Sequence, residues 1–176
     1  MTDYDTDFAL WAAEQAALLR GSRFSELDRH NLAEELETLA RGLRRELFDR
    51  LVRLLQHLLQ WEVLEGHRLP AWYVAIQEER NMIPRLLEDA PSLMDDWSTV
   101  YEQAWHAALD AACIATGLSL RLMPPSAYRS ETVLDVTFWP GKPGNRIHEQ
   151  EMGVLVTQLA QHTCSPYTDR WVAKGA

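Results

Sequence analysis

Residues 31–66 read NLAEELETLARGLRRELFDRLVRLLQHLLQWEVLEG, and the spacing of leucine in this stretch decides the fold class. Leu32, Leu36, Leu39, Leu43, Leu47, Leu51, Leu54, Leu58 and Trp61 recur every three or four residues, the period of one face of an α-helix. Asn31 followed by Glu34 has the cap-plus-three spacing of a capping box, and Gly66 with Pro70 closes the run. At 1.5 Å per residue, a continuous helix here would be roughly 50 Å long. That length is unusual for a small domain, so a bend near Gly42 is expected.

The flanking segments carry the same signature. DTDFALWAAEQAALLRG (5–21) predicts a first helix, capped by acidic residues between Asp5 and Asp7 and ended by Gly21. Its packing face holds Phe8, Trp11, Ala12, Gln15 and Leu19, and Phe24 and Leu27 in the connection after it are packing anchors. LPAWYVAIQEERNMIPRLLEDAP (69–91) predicts a third helix that opens on Pro70, where a missing N–H costs nothing. Trp72, Ile76, Ile83 and Leu87 form its stripe, and Pro84 should kink or break it. A fourth helix begins at Pro91 or Ser92, with Asp95 and Asp96 suited to its positive end and Gly117 as its stop.

Beyond Gly117 the chain is rich in proline and glycine, with only a short helical possibility around Ser130–Asp135 and a strap-like role for the segment carrying Trp139. Residues 146–162 would fit a last helix, weakened by Gly153. The fold class is therefore all-α: a single bundle of four main helices with an irregular proline-rich extension. Residues 1–140 form the helical domain and 141–176 the C-terminal extension.

Composition excludes several functions. The 176 residues carry a net charge of −9, which opposes general binding to nucleic acid or anionic membranes. No run approaches the length of a membrane span, and the acidic MTDYDTDFAL lacks a signal peptide's basic start, so a cytoplasmic protein is expected. Two cysteines, Cys113 and Cys164, have no metal-ligand spacing and fit a reducing compartment. Phosphate-binding loops, dinucleotide fingerprints and a nucleophile elbow are absent, so no cofactor is expected.

Polar residues on the apolar stripes are the candidates for chemistry. On a helical wheel Arg50 and His57 fall within the leucine sector of the second helix, with Glu46, Glu35 and Arg53 at its edge. The stripe drifts along a straight helix, which moves His57 toward the rim. Glu79 lies among Trp72, Ile76 and Ile83 on the third helix, with Arg80 beside them. A carboxylate in such a place needs a partner. Glu46, Arg50, His57, Glu79 and Arg80 are thus expected to form one interhelical polar cluster. Such a cluster either fixes helix register or serves as a site, with His57 as general base or metal ligand and Glu79 orienting it. The structural role is the better supported.

Other groupings have simpler explanations. Glu34, Glu35 and Glu37 suit the positive end of a helix as well as they suit a hard metal. Glu102 and His106 are four apart but lie opposite the apolar face of their helix, and His148 and His162 have no convergent partners. No Glu-x-x-His pair of a di-iron bundle occurs. Arg41, Arg44 and Arg45 form a basic band that acidic neighbours can neutralise, leaving a nucleic-acid role as the weaker alternative.

Taken in order, the phrases NLAEELETLARGLRRELFDRL, LLQHLLQW, AWYVAIQEERNMI, LLEDAPSL and LDVTFWP resemble the bacterial domain-of-unknown-function family 29. The resemblance spans about residues 3–140 and leaves the tail unmatched. Where the family tends to carry Gln, this chain has Glu79. The resemblance implies an all-helical bacterial protein and brings no activity with it. The expected function is a non-enzymatic interaction or regulatory module, whose long second helix meets a protein partner or a second copy. A small enzyme or metal-binding protein centred on His57 and Glu79 is the alternative.

Overall fold

The computed structural model describes residues 2–141. The protein is all-α, and the described residues form four main helices: α1 (Phe8–Arg20), α2 (Arg29–Val63), α3 (Pro70–Asp89) and α4 (Trp97–Thr116). Among the described residues there is no strand. The expected last helix at 146–162, with His148, His162 and Cys164, lies outside the described residues. Contacts divide the chain into two compact units, Met1–Glu46 and Leu47–Ala176.

In the first unit, Asp7 caps α1 by accepting from the Leu10 amide at 3.0 Å. The helix stops at Gly21, yet Gly21 has φ −81 and the left-handed position falls to Ser22, at φ 56. Arg23 N–H bonds to the Leu18 carbonyl and Ser22 N–H to that of Leu19, the paired closure of a Schellman motif. Trp11 and Gln15 are buried, and Tyr4 stacks edge-on against Trp11. Phe24, expected as an anchor, is exposed in the 3₁₀ turn Phe24–Glu26, while Leu27 is half-buried.

The α2 cap is Asp28, not Asn31. Its carboxylate accepts from the Asn31 amide at 3.3 Å and from Asn31 Nδ2 at 2.7 Å, which starts the helix at Arg29. Those bonds hold the Asp28 carboxyl below its ordinary range, Asn31 being the largest cause. Trp11 Nε1 also donates to Asp28, and the buried Gln15 accepts from its amide. These contacts tie α1 to the start of α2.

α2 runs unbroken through Gly42 for 35 residues. Its leucine stripe is not buried along its whole length. Leu47, Leu51, Leu54, Leu55, Leu58, Leu59 and Trp61 are core residues, whereas Leu36, Leu39 and Leu43 are 65%, 66% and 40% exposed. The shared face is therefore covered only in the second half of the helix. Periodicity records which residues share a face; it does not record whether another element covers that face.

In the second unit the far half of α2 packs with α3 and α4 around one core that includes Ile76, Ile83, Val100, Ala104 and Ala108. Pro70 occupies the first turn of α3 as expected. Pro84 does not break α3, which continues to Asp89. The carbonyl of Arg80 loses its helical donor there, and burial of Ile83 and Leu86 on either side holds the helix together. The fourth helix starts later than expected, at Trp97, after a 3₁₀ stretch Pro91–Asp96. Gly117 ends it in the left-handed conformation, φ 70, its N–H bonded to Cys113.

The chain then crosses the core as a strap. Around Thr132 it forms hydrogen-bonded turns where a short helix was conceivable. Met123 and Val133 are buried in the main core, with Tyr128, Phe138 and Trp139 packed against it.

Candidate functional site

Arg50 and Arg53 lie three residues apart on α2 and so share a face. Both reach Glu79 on α3. Arg50 Nη1 donates to Oε2 at 3.1 Å, and Arg53 Nε donates to Oε1 at 2.7 Å. The Glu79 side chain is 6% exposed, Arg50 15% and Arg53 54%, so the cluster has a closed side and a wet side. Each carboxylate oxygen is engaged by a guanidinium, an arrangement that clamps α2 to α3.

Of the five residues expected to converge, the structure brings Arg50 and Glu79 together. His57 is half-buried and pairs within its own helix, Nδ1 lying 2.8 Å from Gln60 Oε1. The amide oxygen can only accept, so Nδ1 carries the proton in that bond. Glu46 is exposed and belongs to the first unit.

Arg80 points away from Glu79 to the strap. Its Nε donates to the Val133 carbonyl at 2.9 Å, and Nη2 donates to the Phe138 carbonyl at 2.6 Å. The guanidinium also lies 5.1 Å from the ring centre of Trp139. Burial pulls its pKa down to about 10, and it stays charged at neutral pH. Trp139 itself packs on Trp61 at 4.8 Å and stacks on Tyr73 at 5.3 Å. Arg80 Nη1 and Trp61 Nε1 find no acceptor among the described residues, a cost that these ring contacts offset.

A second set of strap contacts was not visible in the sequence. The Tyr128 hydroxyl donates to Glu62 at 2.6 Å, and Tyr101 donates to the Tyr128 carbonyl at 2.8 Å. The partners in the first pair are 66 residues apart, and no local spacing joins them. Arg53 was the more legible omission, because it shares a face with Arg50.

The remaining candidates are occupied or dispersed. Tyr4 donates to Glu35, and Glu37 pairs with Arg41, which also donates to Thr38. Glu34, Glu102 and His106 are exposed. Among the described residues no group of three His, Cys, Asp or Glu side chains could hold a metal ion. None of the described helices is long and apolar enough to cross a membrane.

The family model described as Domain of unknown function DUF29 matches residues 4–139. The chain belongs to that family. The match begins at Tyr4 and ends at Trp139, the last ring of the strap. The matched residues take in the four helices and the strap, and the family description assigns no activity. No curated protein and no solved structure matches the chain.

Proposed function

We propose that this DUF29 protein is a non-enzymatic interaction module whose working surface is the first half of α2. The observation that carries this reading is the exposed leucine face, Leu36, Leu39 and Leu43, on a helix whose later leucines are fully buried. Exposed apolar side chains in a helical row cost solvation that a partner would relieve. The polar cluster gives less support to catalysis, since Arg50 and Arg53 engage both oxygens of Glu79 and His57 bonds to Gln60. The basic band gives little support to nucleic-acid binding, since Arg41 is paired with Glu37. A cytoplasmic, bacterial setting is part of the proposal, supported by sparse cysteine and by the resemblance in sequence.

In-cell photo-crosslinking tests it. A photoreactive residue at Leu39 should give protein adducts, and one at the exposed His106 should not. Adducts at neither position, or equal yields at both, would overturn the reading.

A further inference from the structure

We infer that the middle of α2, residues 36–46, is a joint that melts and reforms while both compact units stay folded. The inference goes beyond the interaction-module reading and does not depend on it, because the joint is a property of the chain alone. All eleven of these residues are exposed, about three helical turns without a buried face. Leu47, the next residue, is fully buried, and the chain divides into its two units between Glu46 and Leu47.

Local forces keep this stretch helical without making it strong. Leucine, alanine, arginine and glutamate are good helix formers, and the capped start and packed end of α2 supply a nucleus on either side. Most helical stability in proteins nevertheless comes from packing an apolar face, and a free-standing helix shorter than about 12 residues is marginal in water. Glu37 pairs with Arg41 at the favourable i,i+4 spacing, but both side chains are largely in water and the pair adds little. Arg41 and Arg45, also four apart, are like charges that oppose it. Gly42 is the weakest link. Inside a helix only proline is less favourable than glycine, and a methyl group added at Gly42 would meet nothing within 4 Å, so no packing requires glycine there.

On both sides of the joint, opening is resisted. At the start of α2 the Asp28 carboxylate accepts from Asn31 and from Trp11, and the Asp28 amide is held by Gln15. Past the joint, opening would expose Leu47, Leu51, Leu54 and Leu55, all fully buried. The easiest break in α2 therefore lies between these anchors, where the leucines are already in water. Closed, the joint carries one helical register from the capped start to the packed end. Open, it uncouples them. Any ligand that binds only the helical form of this stretch closes the joint by mass action, so occupancy of Leu36, Leu39 and Leu43 would be read out as continuity of α2.

Amide hydrogen exchange of the full chain, resolved by residue, tests the joint without any partner. Amides 40–46 bond to the carbonyls of residues 36–42. They should exchange at least about 100-fold faster than amides 51–61, at a rate that low urea barely changes, since local opening exposes little new surface. Gly42→Ala should slow exchange at 40–46 about fivefold and leave 51–61 unchanged. Exchange at 40–46 as slow as at 51–61 would overturn the joint. So would amides 33–36 exchanging as fast as 40–46, because α2 would then fray from its start. A rate at 40–46 that climbs with urea as steeply as in the core would show opening only by unfolding of a whole unit, and no effect of Gly42→Ala would overturn Gly42 as the weak point.

Discussion

Arg80 on α3 donates to the carbonyl oxygen of Val133 at 2.9 Å, across 53 residues of chain. With its second bond to Phe138 and its stack on Trp139, this side chain holds both ends of the strap's last turn. The family match ends at Trp139, whose ring lies 5.1 Å from the Arg80 guanidinium.

Replacing Arg80 with alanine removes a donor from the buried Val133 carbonyl, another from the part-buried Phe138 carbonyl, and the contact with the Trp139 ring. The expected cost is about 2–4 kcal/mol. Arg80→Lys should recover less than half of that, because a lysine cannot present two donors in the plane of a fork. Urea unfolding followed by tryptophan fluorescence gives the magnitudes. Equal stability of the lysine variant and the parent would show that the fork does not matter.

The Glu79 clamp should divide unevenly between its two arginines. Arg50 is largely shielded and Arg53 is half in water, so Arg50→Ala should cost about 1–3 kcal/mol and Arg53→Ala less than about 1 kcal/mol. Glu79→Gln leaves Arg50 facing an amide and should cost about as much as Arg50→Ala. Its coupling to Arg50 in a double-mutant cycle should exceed its coupling to Arg53. The reverse order would mean that the solvated pair carries the clamp.

Chain reversal at the helix ends offers a matched pair of substitutions. Ser22 occupies a left-handed position, φ 56, that glycine adopts freely. Ser22→Gly should stabilise the first unit by about 0.5–1 kcal/mol. Gly117 sits at φ 70 with open space around its α-carbon, so Gly117→Ala is opposed by backbone alone. It should cost about 1 kcal/mol. Denaturation curves for the two variants should therefore shift in opposite directions, and a shift in the same direction would contradict the assigned conformations.

The four helices were legible because each carries its own local signature: Asp7 as a cap, Pro70 in a first turn, Gly117 as a stop, and leucine at helical spacing throughout α2. What failed depended on tertiary context. Pro84 stays inside α3 because burial around it outweighs one lost hydrogen bond. Leu36, Leu39 and Leu43 have the same spacing as Leu51, Leu54 and Leu58, and only the fold distinguishes covered from uncovered. Within the candidate cluster, wheel geometry placed Arg50 and Glu79 on facing stripes. It had no means of telling that Arg80 turns to carbonyls more than 50 residues away. The sequence does not single out Asp28 as the cap, because Asn31, three residues later, offers the same chemistry with Glu34 behind it.

The buried tyrosines make stability depend on alkaline pH. Burial pushes the phenols of Tyr101 and Tyr128 well above the ordinary value of 10, and for Tyr128 the hydrogen bond to Glu62 adds to the rise. The folded chain then holds protons that the unfolded chain releases. Their contribution is fully present below pH 10 and is lost progressively as pH rises above it. Tyr128→Phe should cost about 1 kcal/mol at neutral pH, by leaving Glu62 without its donor, and should flatten the alkaline slope. Tyr101→Phe should flatten it by the same one-proton slope, since its phenol too stays protonated in the folded chain. Absorbance at the tyrosinate band provides the direct test: Tyr101 and Tyr128 should ionise only when the chain unfolds. Ionisation of both near pH 10 in the folded protein would remove the Tyr128–Glu62 bond as a source of pH dependence.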